Sequence, residues 1–315
     1  MPERSLDLLR QDSRYGVTLE GRRWSGGLHV NFEIVPAFVE PEAKLAELES
    51  KGLDAAVVSV APPLFYYHLD ADAGGAAMSR ATNEGLAELS AAAPERLKWL
   101  ATVPMQDPEL AVSVLNEAVS DGAVGVEIGT AVPGGQLDEP RFEPFWAAAE
   151  ELGIPVTLHP AYGEHGAALD AYYFENVLGF LFETTITVER LIVSGLFDRH
   201  PDLRVVLLHG GGYFPYQVGR LRHARTVRPE LQAAPADPWS YRDRLCFDII
   251  THHPPALRYL IEQAGAERVV MGTDLPFDMA TPDPMGLLEA AAPTQDDVRA
   301  IAERNPAALY GFAAD

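Results

Sequence analysis

From Pro41 onward the hydrophobic positions repeat one pattern: a stretch with helical spacing, a short turn, then a β-branched apolar run. Residues 42–51 read as an exposed amphipathic helix ended by Gly52, and Ala55–Ala61 as the strand after it. The same pattern predicts helices over 76–93, 108–120, 141–152, 174–199 and 254–264, and one from Pro215 to about Arg225. It predicts strands over Leu97–Pro104, Ala123–Thr130, Ile154–Pro160, Arg204–His209, Leu245–Thr251 and Val269–Leu275, with one or two helices in 294–310. The strands are short apolar runs, as expected of parallel strands buried on both faces. No linker rich in Gly or Ser divides them. Seven such units favour an α/β fold in a single domain over 1–315, a closed (β/α)8 TIM barrel rather than a doubly wound sheet. Eight strands close such a barrel, so one is unaccounted for. Its only candidate lies in 1–40, where Val17–Trp24 and Leu28–Ile34 read as a polar hairpin around Gly21 and Gly26-Gly27.

Polar side chains gather where the apolar runs stop. Ser59 ends the first strand and Glu127 lies within the third. His159, His209 and Asp274 end three others, and Thr251 and His252 end a fourth. A barrel collects its strand C-termini into one mouth, which carries the chemistry. Two histidines and an aspartate there suit a divalent cation, because imidazole nitrogen and carboxylate oxygen are its usual ligands. The glycines after His209 let backbone approach backbone or a ligand with no Cβ in the way.

Composition narrows the partners. The net charge of −22 argues against nucleic acid, which needs a basic footprint. No apolar run of about 18 residues suggests a membrane span, and Met1-Pro-Glu-Arg-Ser offers no apolar leader. The single cysteine, Cys246, rules out an internal disulfide and fits a reducing cytoplasm. It lies in an apolar run and reads as a buried, inert thiol.

Several motifs occur together, in order. They are Thr102-Val-Pro-Met-Gln-Asp-Pro, Glu127-Ile-Gly-Thr130, Leu158-His-Pro160, Glu183-Thr-Thr185, His209-Gly-Gly-Gly212, Gly219-Arg220, Gly272-Thr-Asp-Leu-Pro-Phe277 and Asn305-Pro-Ala-Ala-Leu-Tyr-Gly311. Over nearly its whole length the chain resembles the amidohydrolase-related decarboxylases, closest to the aminocarboxymuconate-semialdehyde decarboxylases. The resemblance implies a metal-dependent β/α barrel, a homodimer, and loss of a carboxyl group from a small aromatic or muconate-type acid. It implies zinc, with manganese as the second choice. By motif, it makes His159 and Asp274 metal ligands and His209 the catalytic histidine. It makes Arg220 a substrate-carboxylate ligand that reaches the partner's site, and Phe277 an aromatic pocket wall. Tyr162 is a further candidate wall.

One departure stands out. The family carries a His-x-His pair at the end of its first barrel strand, and this sequence has no His-x-His. The nearest stretch, His29-Val30-Asn31, offers an amide where an imidazole is needed. The segments at Leu6 and Tyr15 match the part of relatives that comes after that strand, which puts the strand upstream of Met1. Either the gap beside Ala55–Ala61 stays open or residues 28–34 fill it. Two alternatives therefore stand beside the decarboxylase: a hydrolase of an ester, lactone or amide on the same site, and a metal-free barrel with a binding role. Of the other histidines, His68, His165 and His252 are candidates to line the mouth, His200 reads as structural, and His223 as surface or interface.

Overall fold

The computed structural model describes residues 1–26, 31–160, 168–231, 234 and 237–313 of the 315. The chain forms two compact units, one of Met1–Ile128 with Leu275–Ala280 and one of Gly129–Asp274 with Thr281–Asp315. Among the described residues no helix is long and apolar enough to cross a membrane.

The first unit opens with helix α1 (Glu3–Gln11) and a meander of three antiparallel strands, β1 (Val17–Glu20), β2 (Arg23–Gly26) and β3 (Asn31–Glu33). Gly21, at φ 63°, makes the first tight turn where the sequence predicts one. Residues 31–33 run antiparallel to β2 and so add no parallel strand. Helix α2 (Pro41–Ser50) leads to β4 (Ala56–Val58), α3 (Ala76–Ala91), β5 (Leu97–Trp99) and α4 (Pro108–Ser120). β4 and β5 pair in parallel, Val57 opposite Lys98, and Ala101 bridges in parallel to Val126. Leu48, Leu89 and Leu97 form a core between α2, α3 and β5. The α2 helix is less exposed than its sequence suggests. Lys44 is buried, its ammonium paired with Glu47 at 2.8 Å, so the aliphatic stem faces inward while the charge stays satisfied. β4 itself is only half-buried at every residue, unlike β7, β8 and β9 below.

Strand β6 (Val126–Gly129) spans the point where the chain passes into the second unit. There follow α5 (Glu143–Glu151), β7 (Val156–His159), α6 (Phe180–Val193), α7 (Leu196–Arg199), β8 (Val205–Leu207), α8 (Phe214–Val227), β9 (Leu245–Asp248), α9 (Pro254–Ala264) and β10 (Val269–Val270). β7 to β10 lie side by side in chain order, all parallel. The predicted helix over 174–199 breaks at Gly195, which takes φ 75° and starts α7. The predicted strand over Val269–Leu275 also stops early. The Met271 amide donates to the Ile301 carbonyl at 3.0 Å, so the backbone leaves the sheet to pair with the C-terminal helical segment. The chain closes with α10 (Pro284–Ala291), α11 (Gln295–Arg299) and α12 (Asn305–Tyr310). A Thr294–Asp297 capping box starts α11. Val206, Cys246, Val270 and Leu309 pack into one core, which makes Cys246 the buried thiol expected of it.

Candidate active site

The second unit brings three sequence-predicted residues together. Register sets Leu158 of β7 opposite Leu207 of β8, and Leu207 opposite Phe247 of β9. Each of these strands therefore ends beside its neighbour, and the polar residues at those ends, or within four positions of them, share one rim. One ligand atom each from His159, His209 and Asp274 lies within 4.8 Å of the others, and no other group of this kind occurs among the described residues. Donor atoms around one tetrahedral ion at about 2.1 Å lie about 3.4 Å apart, so the set draws in by up to about 1.4 Å to share an ion.

Each imidazole is prepared differently. The buried His159 ring places Nδ1 2.6 Å from the Pro160 carbonyl. A carbonyl only accepts, so Nδ1 carries the proton and Nε2 keeps a free lone pair, the state a metal ligand needs. Burial holds the His159 pKa down at about 4, against the pull of the Pro160 contact. His209 stands edge-on to His159, ring centroids 5.2 Å apart. Its buried Nδ1 has no hydrogen-bond partner among the described residues. Burial, and then the neighbouring His159 and His252, press the His209 pKa down to about 3. A buried nitrogen without a partner, beside a free Nε2 and a carboxylate, suits a cation with its water or substrate.

The turn after β8 gives His209 its place. His209 and the three glycines after it all take positive φ, 55° at the histidine and 62° at Gly212. A Cβ on Gly211 would come 2.6 Å from the Phe247 ring, and one on Gly212 2.3 Å from the Leu181 carbonyl oxygen. The glycines therefore let the turn press against β9 and α6. His252 and Asp274, past the ends of β9 and β10, are left-handed too, at 53° and 61°. Non-glycine residues held in that region cluster at functional sites.

Asp248, the last residue of β9, was not among the sequence candidates. It is 1 % exposed. Its Oδ2 accepts from the His209 amide at 2.9 Å, and its Oδ1 from the amides of Gly210 at 2.7 Å and Ile250 at 3.0 Å. Burial pushes its pKa up to about 6 despite the three N–H donors. In sequence it is one polar residue in an apolar strand. The available signal was the His-Gly-Gly-Gly turn, whose buried amides need an acceptor from elsewhere.

The remaining candidates are more scattered. Arg220 is exposed on α8. Phe277, in the first unit, packs on Phe38 with centroids 5.0 Å apart and on Phe32 at 6.2 Å. His200 is structural as expected, buried with its two nitrogens 2.9 Å from Glu150 and Glu143. His68 and His252 are exposed. Tyr162, His165 and His29 lie outside the described residues.

Residues 29–312 match the Amidohydrolase family. The chain is 31% identical over 255 residues to 2-amino-3-carboxymuconate-6-semialdehyde decarboxylase of Dictyostelium discoideum, covering 80% of this chain and 70% of that one. It is 32% identical over 260 residues to gamma-resorcylate decarboxylase of Rhodococcus jostii, covering 74% and 76%. Among solved structures it is similar to a dihydroxybenzoic acid decarboxylase from Polaromonas sp. JS666, with TM-score 0.79, 25% identity and coverage of 86% and 85%. That protein was crystallised with bound manganese and the inhibitor 2-nitroresorcinol. The chain belongs to the amidohydrolase family and has that family's β/α-barrel fold. Within the family it stands with the metal-dependent decarboxylases, which are carbon–carbon lyases.

Proposed function

We propose that the protein removes the carboxyl group of a small aromatic or muconate-type acid with the help of a divalent cation. The observation that supports this reading most is the convergence of His159, His209 and Asp274 at the C-terminal ends of β7, β8 and β10. His159, through Nε2, and the Asp274 carboxylate would hold the cation. When bound, it supplies Lewis-acid charge that orients the substrate and draws off electron density. Both manganese and zinc suit imidazole and carboxylate donors, and manganese is the ion in the solved Polaromonas relative.

His209 has the proton work. Decarboxylation breaks the bond between the carboxyl carbon and its neighbour. The electron pair stays on the neighbouring carbon, which must then take up a proton. A neutral imidazole has one nitrogen that accepts and one that donates. With its pKa pressed well below neutral, His209 can pass a proton along without leaving a charge in a buried site. Arg220 is the proposed clamp for a substrate carboxylate in a second copy of the chain, by a bidentate pair. Phe277 and Tyr162 are the proposed aromatic contacts. With a single cysteine, the compartment we propose is the cytoplasm.

The test is CO₂ release from manganese- or zinc-loaded protein on a panel of hydroxylated benzoates and aminocarboxymuconate semialdehyde. Release from at least one acid, lost in His209→Ala with the circular dichroism unchanged, is expected. Wild-type turnover in His209→Ala, or ester, lactone or amide cleavage without CO₂ release, overturns the proposal.

A further inference from the structure

Asp248 carries a cost that packing alone does not explain. An ionised carboxylate buried without a cationic partner is expensive. Its hydrogen-bond partners are three backbone amides, from His209, Gly210 and Ile250. Two of them belong to the left-handed turn at the end of β8, and the third to the chain leaving β9. β8 and β9 pair through Leu207 and Phe247, and the next ladder position would be Leu208 beside Asp248. There the backbone turns away, and the Asp248 side chain takes over the accepting role that a strand carbonyl would have had. On its other side Asp248 meets the backbone of Gly272, where an added Cβ would come 2.8 Å from the Asp248 Cβ. The same side chain is thus wedged between the turn that holds His209 and the segment that leads to Asp274.

We infer that Asp248 is a positioning residue for His209: by accepting the His209 and Gly210 amides it locks the left-handed turn that aims the imidazole at the rim. The inference rests on the decarboxylase reading for its kinetic consequence, while the ring placement stands apart from it. The two carboxylate oxygens have separate duties. Oδ1 serves Gly210 and Ile250, and Oδ2 serves His209 alone. Asp248→Asn is therefore a selective cut. The amide oxygen can keep the Gly210 and Ile250 bonds, while the NH₂ group, a donor, faces the His209 N–H and repels it. Small side-chain displacements of this kind cost up to about 100-fold in turnover.

The experiment compares Asp248→Asn with the wild type in manganese-loaded protein by kcat and KM for CO₂ release, manganese content, and crystal structures of both. In the variant the inference expects kcat about 10- to 100-fold lower with KM within about threefold. It also expects manganese content unchanged, because His159 and Asp274 are untouched, and the His209 ring displaced from its edge-on place beside His159. Asp248→Ser, a shorter acceptor, serves the same comparison if the asparagine variant does not fold. An unmoved His209 ring, or kcat per folded molecule equal to wild type with only the melting temperature lowered, overturns it. If the wild type releases no CO₂ from any acid, the decarboxylase reading fails. The position of the His209 ring in the variant then decides the inference alone.

Discussion

Replacing Gly212 by alanine adds one methyl group at the tightest point of the turn that carries His209. Gly212 sits at φ 62° and ψ −132°, a sparsely populated region where an L-residue costs about 1–3 kcal/mol. The new Cβ would stand 2.3 Å from the Leu181 carbonyl oxygen and 2.9 Å from Thr185 Oγ1, which accepts the Tyr213 amide at 2.8 Å. Backbone cannot rotate aside as a side-chain tip can, so overpacking adds about 1–3 kcal/mol. The sum, about 2–6 kcal/mol, is a large share of a typical total of about 5–15 kcal/mol. Gly219 is the control. It lies on α8 with nothing within 4 Å of an added methyl and no positive φ. There the same substitution stabilises by up to about 1 kcal/mol through helix propensity. Urea unfolding followed by tryptophan fluorescence, at equal pH and metal concentration, should show the Gly212→Ala midpoint falling and the Gly219→Ala midpoint holding or rising. Equal midpoints in the two variants would refute the claim that the turn is packed against α6.

Acid should weaken the metal-free protein by a route the two histidines set. Their pKa values in the folded chain, about 4 for His159 and about 3 for His209, lie below the usual imidazole value of about 6.5. The unfolded chain then takes up protons first, so their contribution is full above pH ~6.5 and is lost as pH falls through ~4 and then ~3. Asp248 works in the opposite sense, because its raised pKa of about 6 favours the folded state on protonation, and it offsets part of the loss. Urea midpoints at pH 7, 5.5 and 4.5 should fall with pH, and fall less steeply in His209→Ala; midpoints that do not change with pH contradict this. Chelation should abolish turnover and lower the melting temperature, and restoring the cation at 100 times its Kd should return about 2.7 kcal/mol; a melting temperature indifferent to metal counts against a bound ion. Arg220→Met should raise KM for a dicarboxylic acid at least tenfold with kcat within about threefold, as loss of a carboxylate clamp does; an unchanged KM removes Arg220 from substrate binding.

The site was legible because its residues end apolar runs. His159 and His209 close strands that sequence periodicity marks clearly, and Asp274 follows Val269–Thr273 in the same way. The parallel register that brings the three within one rim follows from βα order alone. Strand length was less legible. The apolar run continues through Met271, yet Met271 pairs with Ile301, a partner 30 positions away that periodicity does not reveal. Lys44 read as solvent-facing because its pairing with Glu47, three residues on, is a helix-surface pattern, and only tertiary packing buries it. Asp248 was hard to single out for a related reason: the His-Gly-Gly-Gly turn calls for an acceptor, but the amides it offers lie up to 39 positions away and do not say which side chain supplies it.

The most direct measurement is a manganese titration of the purified chain by electron paramagnetic resonance, with His209→Ala and Asp274→Asn beside the wild type. If His159 and Asp274 hold the ion and His209 serves the substrate, wild type and His209→Ala each bind one manganese per chain, and Asp274→Asn loses it. Stoichiometric binding that survives Asp274→Asn, or none in the wild type, would mean that the strand ends converge for some other purpose.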